Sequence, residues 1–239
     1  MVSKAGWVDV RVAIYSQPSP GEGSDAYKME SMPPMDMPTY LTEIQHAASN
    51  LFPLVWEEAD TVVRLEAELR PLAEAVEREY RDIEHLAELY GDDEDGLLTM
   101  RHWDNYFGPD KERHYKNKEL EDAILRLETH RFSISALAGS ILQFAKQGLS
   151  MAYGNPAKWP KWAAIGTQPF GNVVLQARNQ AMHWETPLTK PVAQCFDQMA
   201  GEVDPVFADY QKRSLAFDVM THLGWRTFEE FRTAMLRID

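Results

Sequence analysis

In the segment VVLQARNQAMHWE (173–185), Arg178 is followed by Asn179 and, four residues further on, by His183. The three side chains supply a permanently charged planar fork, a hydrogen-bonding amide and a ring that exchanges protons near neutral pH. Such a set suits holding an anion while a proton moves beside it. The apolar spacing predicts a helix from about Asn172 to Glu185, closed by Thr186-Pro187. At about 100° per residue, Val173, Val174, Ala177, Ala181 and Trp184 share one apolar face, while Gln176, Asn179 and His183 form a polar stripe. Arg178 and Glu185 point in a third direction. Arg178 and His183 therefore stand about 140° apart, with Leu175 and Met182 between them, and one straight helix cannot aim both at one group. A second copy packed over that strip would bring one chain's arginine to the other's histidine, which favours a homodimer; a frayed last turn is the other way to bring His183 round.

The Arg178-Asn179-x3-His183 pattern, on a helix preceded by a long helix, resembles the HEPN superfamily of small helical-bundle proteins. The resemblance is detailed for about a dozen residues and architectural for roughly 115–239. It implies an all-α helical bundle, a two-fold dimer with a shared cleft, and RNA as the ligand. In ribonuclease members it further implies metal-independent cleavage by attack of the ribose 2′-hydroxyl on the phosphodiester, with no cofactor. On that reading Arg178 holds the phosphate, His183 is the general acid or base, and Asn179 orients the imidazole. The setting it implies is bacterial defence or a toxin–antitoxin pair.

The elements around the motif are read from periodicity and punctuation. Residues 149–171, with two tryptophans and three prolines, form a long irregular connection before the motif helix, and connections of that length are often functional. Within it, Lys158, Trp159, Lys161 and Trp162 have the composition of a surface that stacks bases and touches phosphate, or of core and interface anchors. Ahead of it a helix is expected over 115–150, stopping at Lys146 and Gly148. Two further helices fit 188–200 and 205–222, and a last short one is capped by Thr227. Upstream, Thr39 or Thr42 is a candidate cap for a helix through Ile44 and Leu51, with Pro53 near a kink or restart. From Val62 to Tyr90 an apolar stripe recurs at steps of three and four, fit for core packing or for a partner helix, with a break or kink expected at Pro71. Residues 1–38 read as an extended or disordered arm and linker, with strand-like alternation over 7–15. The rest, 39–239, reads as one helical domain, comprising an acidic helical part (39–96) and a HEPN-like core (about 115–239).

Charge and composition set bounds. A net charge of −13 makes the chain as a whole a poor general binder of nucleic acid or anionic membrane. The acidity is concentrated, however. Residues 57–100 hold 15 acidic and 4 basic side chains, whereas 101–190, which contain the motif, hold 8 and 12. A polyanion could approach that second region locally. The acidic block is either a solvated helix face or a docking surface for a basic protein partner through residues such as Glu74, Glu77 and Asp82. The latter would make the chain a non-catalytic interaction module. The single cysteine, Cys195, excludes an intrachain disulfide and reads as a small buried apolar residue. With no long apolar run and no apolar leader at the start, a cytoplasmic protein away from membranes is expected. No metal site is expected either. Glu43-x-x-His46 is half of a di-iron pattern without its second half, and His102, His114 and His130 lack ligand spacing.

Overall fold

The computed structural model describes residues 35–89 and 109–237. The strand-like stretch at 7–15, most of the proposed arm and the acidic turn at 91–96 lie outside the described residues. What is described is all-α. It comprises α1 (Met37–Leu89), α2 (Pro109–Tyr153), α3 (Phe170–His183), α4 (Lys190–Glu202), α5 (Ala216–His222) and α6 (Phe228–Leu236). Two short 3-10 turns, Pro156–Lys158 and Pro205–Gln211, and one antiparallel pair of very short strands, β1 (Ala163–Ile165) and β2 (Gln168–Pro169), complete it.

Asp36, rather than either threonine, starts α1: its carboxylate accepts the Thr39 N–H at 2.8 Å and its carbonyl accepts the Tyr40 N–H. The Thr42 hydroxyl instead donates back to the Pro38 carbonyl. The helix then runs unbroken through Pro53 and Pro71. Each proline brings no N–H to the carbonyl four residues before it, a local loss that normally ends a helix. Packing outweighs it at Pro53, where the neighbouring Phe52 and Val55 are buried in the core. Past Pro71 the buried Val76 and the antiparallel partner α2 continue the element.

Helices α1 and α2 pair antiparallel. Glu58 meets His130 at 2.6 Å, Glu66 meets Arg131 at 2.7 Å, and Asn117 donates to the Tyr80 hydroxyl at 3.0 Å. The core lies toward one end of this pair. There Tyr40, Leu41, Ala48 and Phe52 of α1 and Ala138, Ile141, Ala145 and Leu149 of α2 are buried with the faces of α3 to α6. Beyond it, over 56–89 and 114–133, only Val76 and Leu127 are buried among the described side chains. The stripe at Val62, Leu65, Leu69 and Leu72 is half-buried.

Helix α2 begins at Pro109 and does not stop at Gly148 but continues to Tyr153. Gly148 is there for space: a Cβ at that position would lie 2.6 Å from Tyr40 Cε1, and the Tyr40 hydroxyl is fixed to the Phe144 carbonyl at 2.8 Å. Burial also pushes the Tyr40 phenol up to about 12. The expected helix over 205–222 is instead the 3-10 turn followed, after residues 212–215, by the two-turn α5. Thr227 does cap α6, in a reciprocal box with Glu230.

Candidate functional site

Helix α3 carries the motif, and the preceding loop anchors its first turn. The Phe170 N–H donates to the Trp162 carbonyl at 2.9 Å and the Gly171 N–H to the Pro160 carbonyl at 3.0 Å. These bonds replace a side-chain cap, which Pro169 at the N-cap cannot provide. The loop tryptophans serve the same purpose. Trp159 is 3% exposed and its indole N–H donates to the Gly154 carbonyl. Trp162 stacks on Phe170 with centroids 4.6 Å apart, while the Arg237 guanidinium lies 4.3 Å over the Trp162 ring. Trp159 thus has no face open to a base and Trp162 has its faces taken. The base-platform expectation for both gives way to a core role, for the ordinary reason that large aromatic surface is driven inward. Lys158 and Lys161 are exposed.

Along α3 the apolar face is seated as expected: Val173, Val174 and Ala177 are buried. Arg178 is half-buried and held from α2, its Nε donating to Gln143 Oε1 at 2.7 Å. Its Nη1 donates to Asn179 Oδ1 at 3.3 Å. Within one chain the Asn179 oxygen therefore serves the guanidinium, and no hydrogen bond joins Asn179 to the His183 imidazole. His183 is the last residue of α3 and is exposed. Its carbonyl is capped by the Thr186 N–H and hydroxyl, each at 3.0 Å, and its ring makes no hydrogen bond among the described residues. Within one chain no hydrogen bond or ion pair joins Arg178 to His183.

Between them lies an apolar surface. Met182 is 45% exposed, and Gly139 of α2 sits against it and Ala181. The pairs Gln143–Arg178 and Gly139–Met182 show α2 and α3 running antiparallel. Helical spacing places Phe132 and Leu125 on the same face of α2 as Gly139 and Gln143, one to two heptads further along, past the end of α3. They are 71% and 67% exposed. Met182, Phe132 and Leu125 thus form an uncovered apolar strip beside the motif.

Sequence reasoning missed the amides. Asn172, Gln176 and Gln180 recur every fourth residue along one side of α3, and Gln168 of β2 precedes them at the same interval. Gln180 is fully buried and accepts the Leu215 N–H at 2.9 Å while donating to the carbonyls of Tyr210 and Arg213 at 2.8 and 2.7 Å. The other three form a chain: Gln176 donates to Asn172, Asn172 to Gln168, and Gln168 to Gln198 of α4. Gln198 and Thr167 both donate to Glu202, and these bonds, that from Gln198 first, hold its carboxyl below the usual glutamate range. Gly166, at φ +56°, makes the turn that delivers Thr167 to Glu202. The regular i, i+4 recurrence of amides was the available signal.

Elsewhere, burial pushes the Cys195 thiol up to about 12, which leaves it an inert core residue. Glu43 and His46 are exposed on α1. Among the described residues no three His, Cys, Asp or Glu side chains converge as metal ligands, and no helix is long and apolar enough to cross a membrane. No protein-family model matches the chain. Nor does any curated protein or solved structure match it.

Proposed function

We propose that this chain is a HEPN-like protein that binds RNA and cleaves it without metal, through a composite site built by two copies. The observation that carries the reading is the arrangement on α3. A guanidinium fixed at Nε keeps donors to spare, a histidine ring without a partner among the described residues sits at the helix end, and the exposed Met182, one end of an apolar strip that continues along α2, lies between the two. Such a strip is what a second copy would cover, and a two-fold pairing across it would set Arg178 of each chain toward His183 of the other. In that site the 2′-oxygen of the ribose bonds to phosphorus as the bond to the 5′-oxygen breaks. His183 takes the 2′ proton or returns one to the departing 5′-oxygen. Arg178 meets the charge on the phosphate oxygens. The products are a 2′,3′-cyclic phosphate and a 5′-hydroxyl end. The reading places the chain in the cytoplasm, in a defence or toxin–antitoxin role.

The test is labelled RNA incubated in EDTA with wild type, Arg178→Ala and His183→Ala. The expected result is cyclic-phosphate ends with wild type only. Re-annealing the two variants one to one makes half the dimers mixed, each with one intact site of two, so about a quarter of wild-type activity returns. Cleavage that survives His183→Ala overturns the nuclease. A mixture that stays dead although dimers form overturns the shared site.

A second reading, a non-catalytic module that binds a basic protein, is favoured by the exposure of Glu74 and Glu77 on α1. The side chain of Asp82 lies outside the described residues. This reading expects no RNA cleavage, together with a partner that co-purifies with wild type and is released by Glu74→Gln with Glu77→Gln.

A further inference from the structure

Away from the α3 motif, α1 and the start of α6 enclose a cleft of about 510 Å³. Its floor is aromatic, formed by Phe52, Trp56 and Phe228. Phe52 and Phe228 are buried, and Trp56 is braced edge-on by Phe217 with centroids 5.1 Å apart. Two opposite charges line the same cleft, Asp60 one turn beyond Trp56 on α1 and Arg226 just ahead of α6. They form no ion pair with each other, and among the described residues neither has another ion pair, although the Glu230 carboxylate, which accepts the Arg226 main-chain N–H at 2.8 Å, also feels the Arg226 charge. The Arg226 guanidinium lies instead 4.6 Å over the Trp56 ring, which holds it at the apolar floor while leaving its N–H donors to be used. Glu229, also at the rim, is taken by Arg232 at 3.5 Å.

An aromatic floor in a cleft lined also by one cation and one anion, neither in an ion pair among the described residues, has a defined complement. We propose that this cleft binds a small zwitterion with an apolar body, that is, an apolar α-amino acid. Its carboxylate pairs with Arg226, its ammonium with Asp60, and its side chain lies on Phe52, Trp56 and Phe228. The planar fork of arginine suits a carboxylate. The aromatic floor supplies burial that a charged or hydroxylated side chain would not exploit. A ligand with only one of the two charges leaves the other protein charge unanswered.

The experiment is isothermal titration of the full chain with L-leucine and L-phenylalanine up to about 10 mM, a range that covers millimolar affinity. N-acetyl-L-leucine and L-leucine amide each lack one charge. The variants are Asp60→Asn and Arg226→Gln. The amide indole signals of labelled protein, with that of Trp56 assigned by Trp56→Phe, report where the ligand sits. The expected result is saturable binding of the free amino acids that shifts the Trp56 signal. Each blocked analogue and each variant should weaken it about tenfold, the usual cost of losing one charged hydrogen-bonding partner. Asp60→Asn changes an exposed side chain with no ion-pair partner among the described residues, so loss of binding there is not a sign of misfolding. Absence of saturable binding, or binding indifferent to one of the two charges, overturns the proposal. A dipeptide binding more tightly than either amino acid also overturns it, in favour of a peptide end.

Discussion

Replacing Gln180 tests the tie between the motif helix and residues 210–215. Its amide is fully buried and makes three hydrogen bonds to main chain, two of them to groups at buried positions, Tyr210 and Leu215. The third partner, the Arg213 carbonyl, belongs to an exposed residue and can turn to water. Gln180→Leu keeps approximate volume and removes the bonds, so two buried groups lose their partner at about 1–3 kcal/mol each. The expected loss is therefore about 2–6 kcal/mol, read from urea unfolding at 25 °C. Hydrogen exchange at the Leu215 amide should accelerate more than in the core of α2. Gln180→Glu is nearly isosteric yet sets a carboxylate oxygen against two carbonyls, so it should be worse than leucine at pH 7. Burial beside carbonyls raises that carboxyl above its unfolded value, so the folded glutamate variant binds more protons and should recover stability as pH falls, until the acid donates to a carbonyl. A leucine variant that loses less than about 1 kcal/mol, with Leu215 as protected as before, would refute the reasoning.

Gly148→Ala should destabilise although alanine favours helix. The new Cβ meets the Tyr40 ring at 2.6 and 2.8 Å, and overpacking of about 1–3 kcal/mol exceeds a propensity gain of at most about 1. Thermal melts should show a smaller penalty in a Tyr40→Phe background, where the ring has lost its tether to Phe144. Thr227→Ala, which removes half of the α6 capping box, should cost about 1 kcal/mol in denaturant titrations, whereas Thr227→Asp should cost little. The folded Glu202 carboxyl is depressed by Gln198 and Thr167, so its contribution is complete above the ordinary glutamate range. It is lost as pH falls through the lower folded value. The melting gap between wild type and Glu202→Gln should accordingly be open at neutral pH and close in acid; a gap independent of pH would show that the carboxylate charge is not what Gln198 and Thr167 recognise.

What was legible in the sequence was whatever a local pattern determines. The apolar face of α3 follows from Val173, Val174 and Ala177 at helical spacing, and the start of α6 follows from a threonine three residues ahead of a glutamate. The misread features depend on a distant neighbour. Gly148 carries the mark of a helix end, yet its meaning is the Tyr40 ring more than a hundred residues away in the chain. Pro53 and Pro71 carry the mark of a break, but packing along α1 outweighs one missing bond at each. Residues 205–222 have the apolar recurrence of one helix, and the buried Gln180 instead takes the backbone groups of Tyr210, Arg213 and Leu215 for itself. Trp159 and Trp162 show the same limit at the site: their composition suits a nucleotide or a core equally, and what decides is the Gly154 carbonyl for Trp159 and the Phe170 ring for Trp162. The motif residues were visible as types at a spacing. That Asn179 turns to Arg178 was not, because it depends on Gln143 of α2 holding the guanidinium from the other side.

The long pair of α1 and α2 has a consequence for how the molecule comes apart. Beyond the last core residues α1 runs on over 56–89, about 50 Å of helix, and α2 over 109–133, about 37 Å, and on the two together only Val76 and Leu127 are buried among the described side chains. The Arg131 ion pairs along it are solvent-exposed and contribute little, and Glu58–His130 is partly buried at the core end. Opening that stretch exposes little apolar surface, so its free energy lies well below that of the whole. Unfolding should accordingly be graded rather than all-or-none, with amide protection declining from Ile141 toward Tyr115 along a single uninterrupted helix. A protease would trim the far end of the pair while the core with its α3 motif stays folded, leaving a smaller body on which the RNA assay can be repeated without the acidic half of α1.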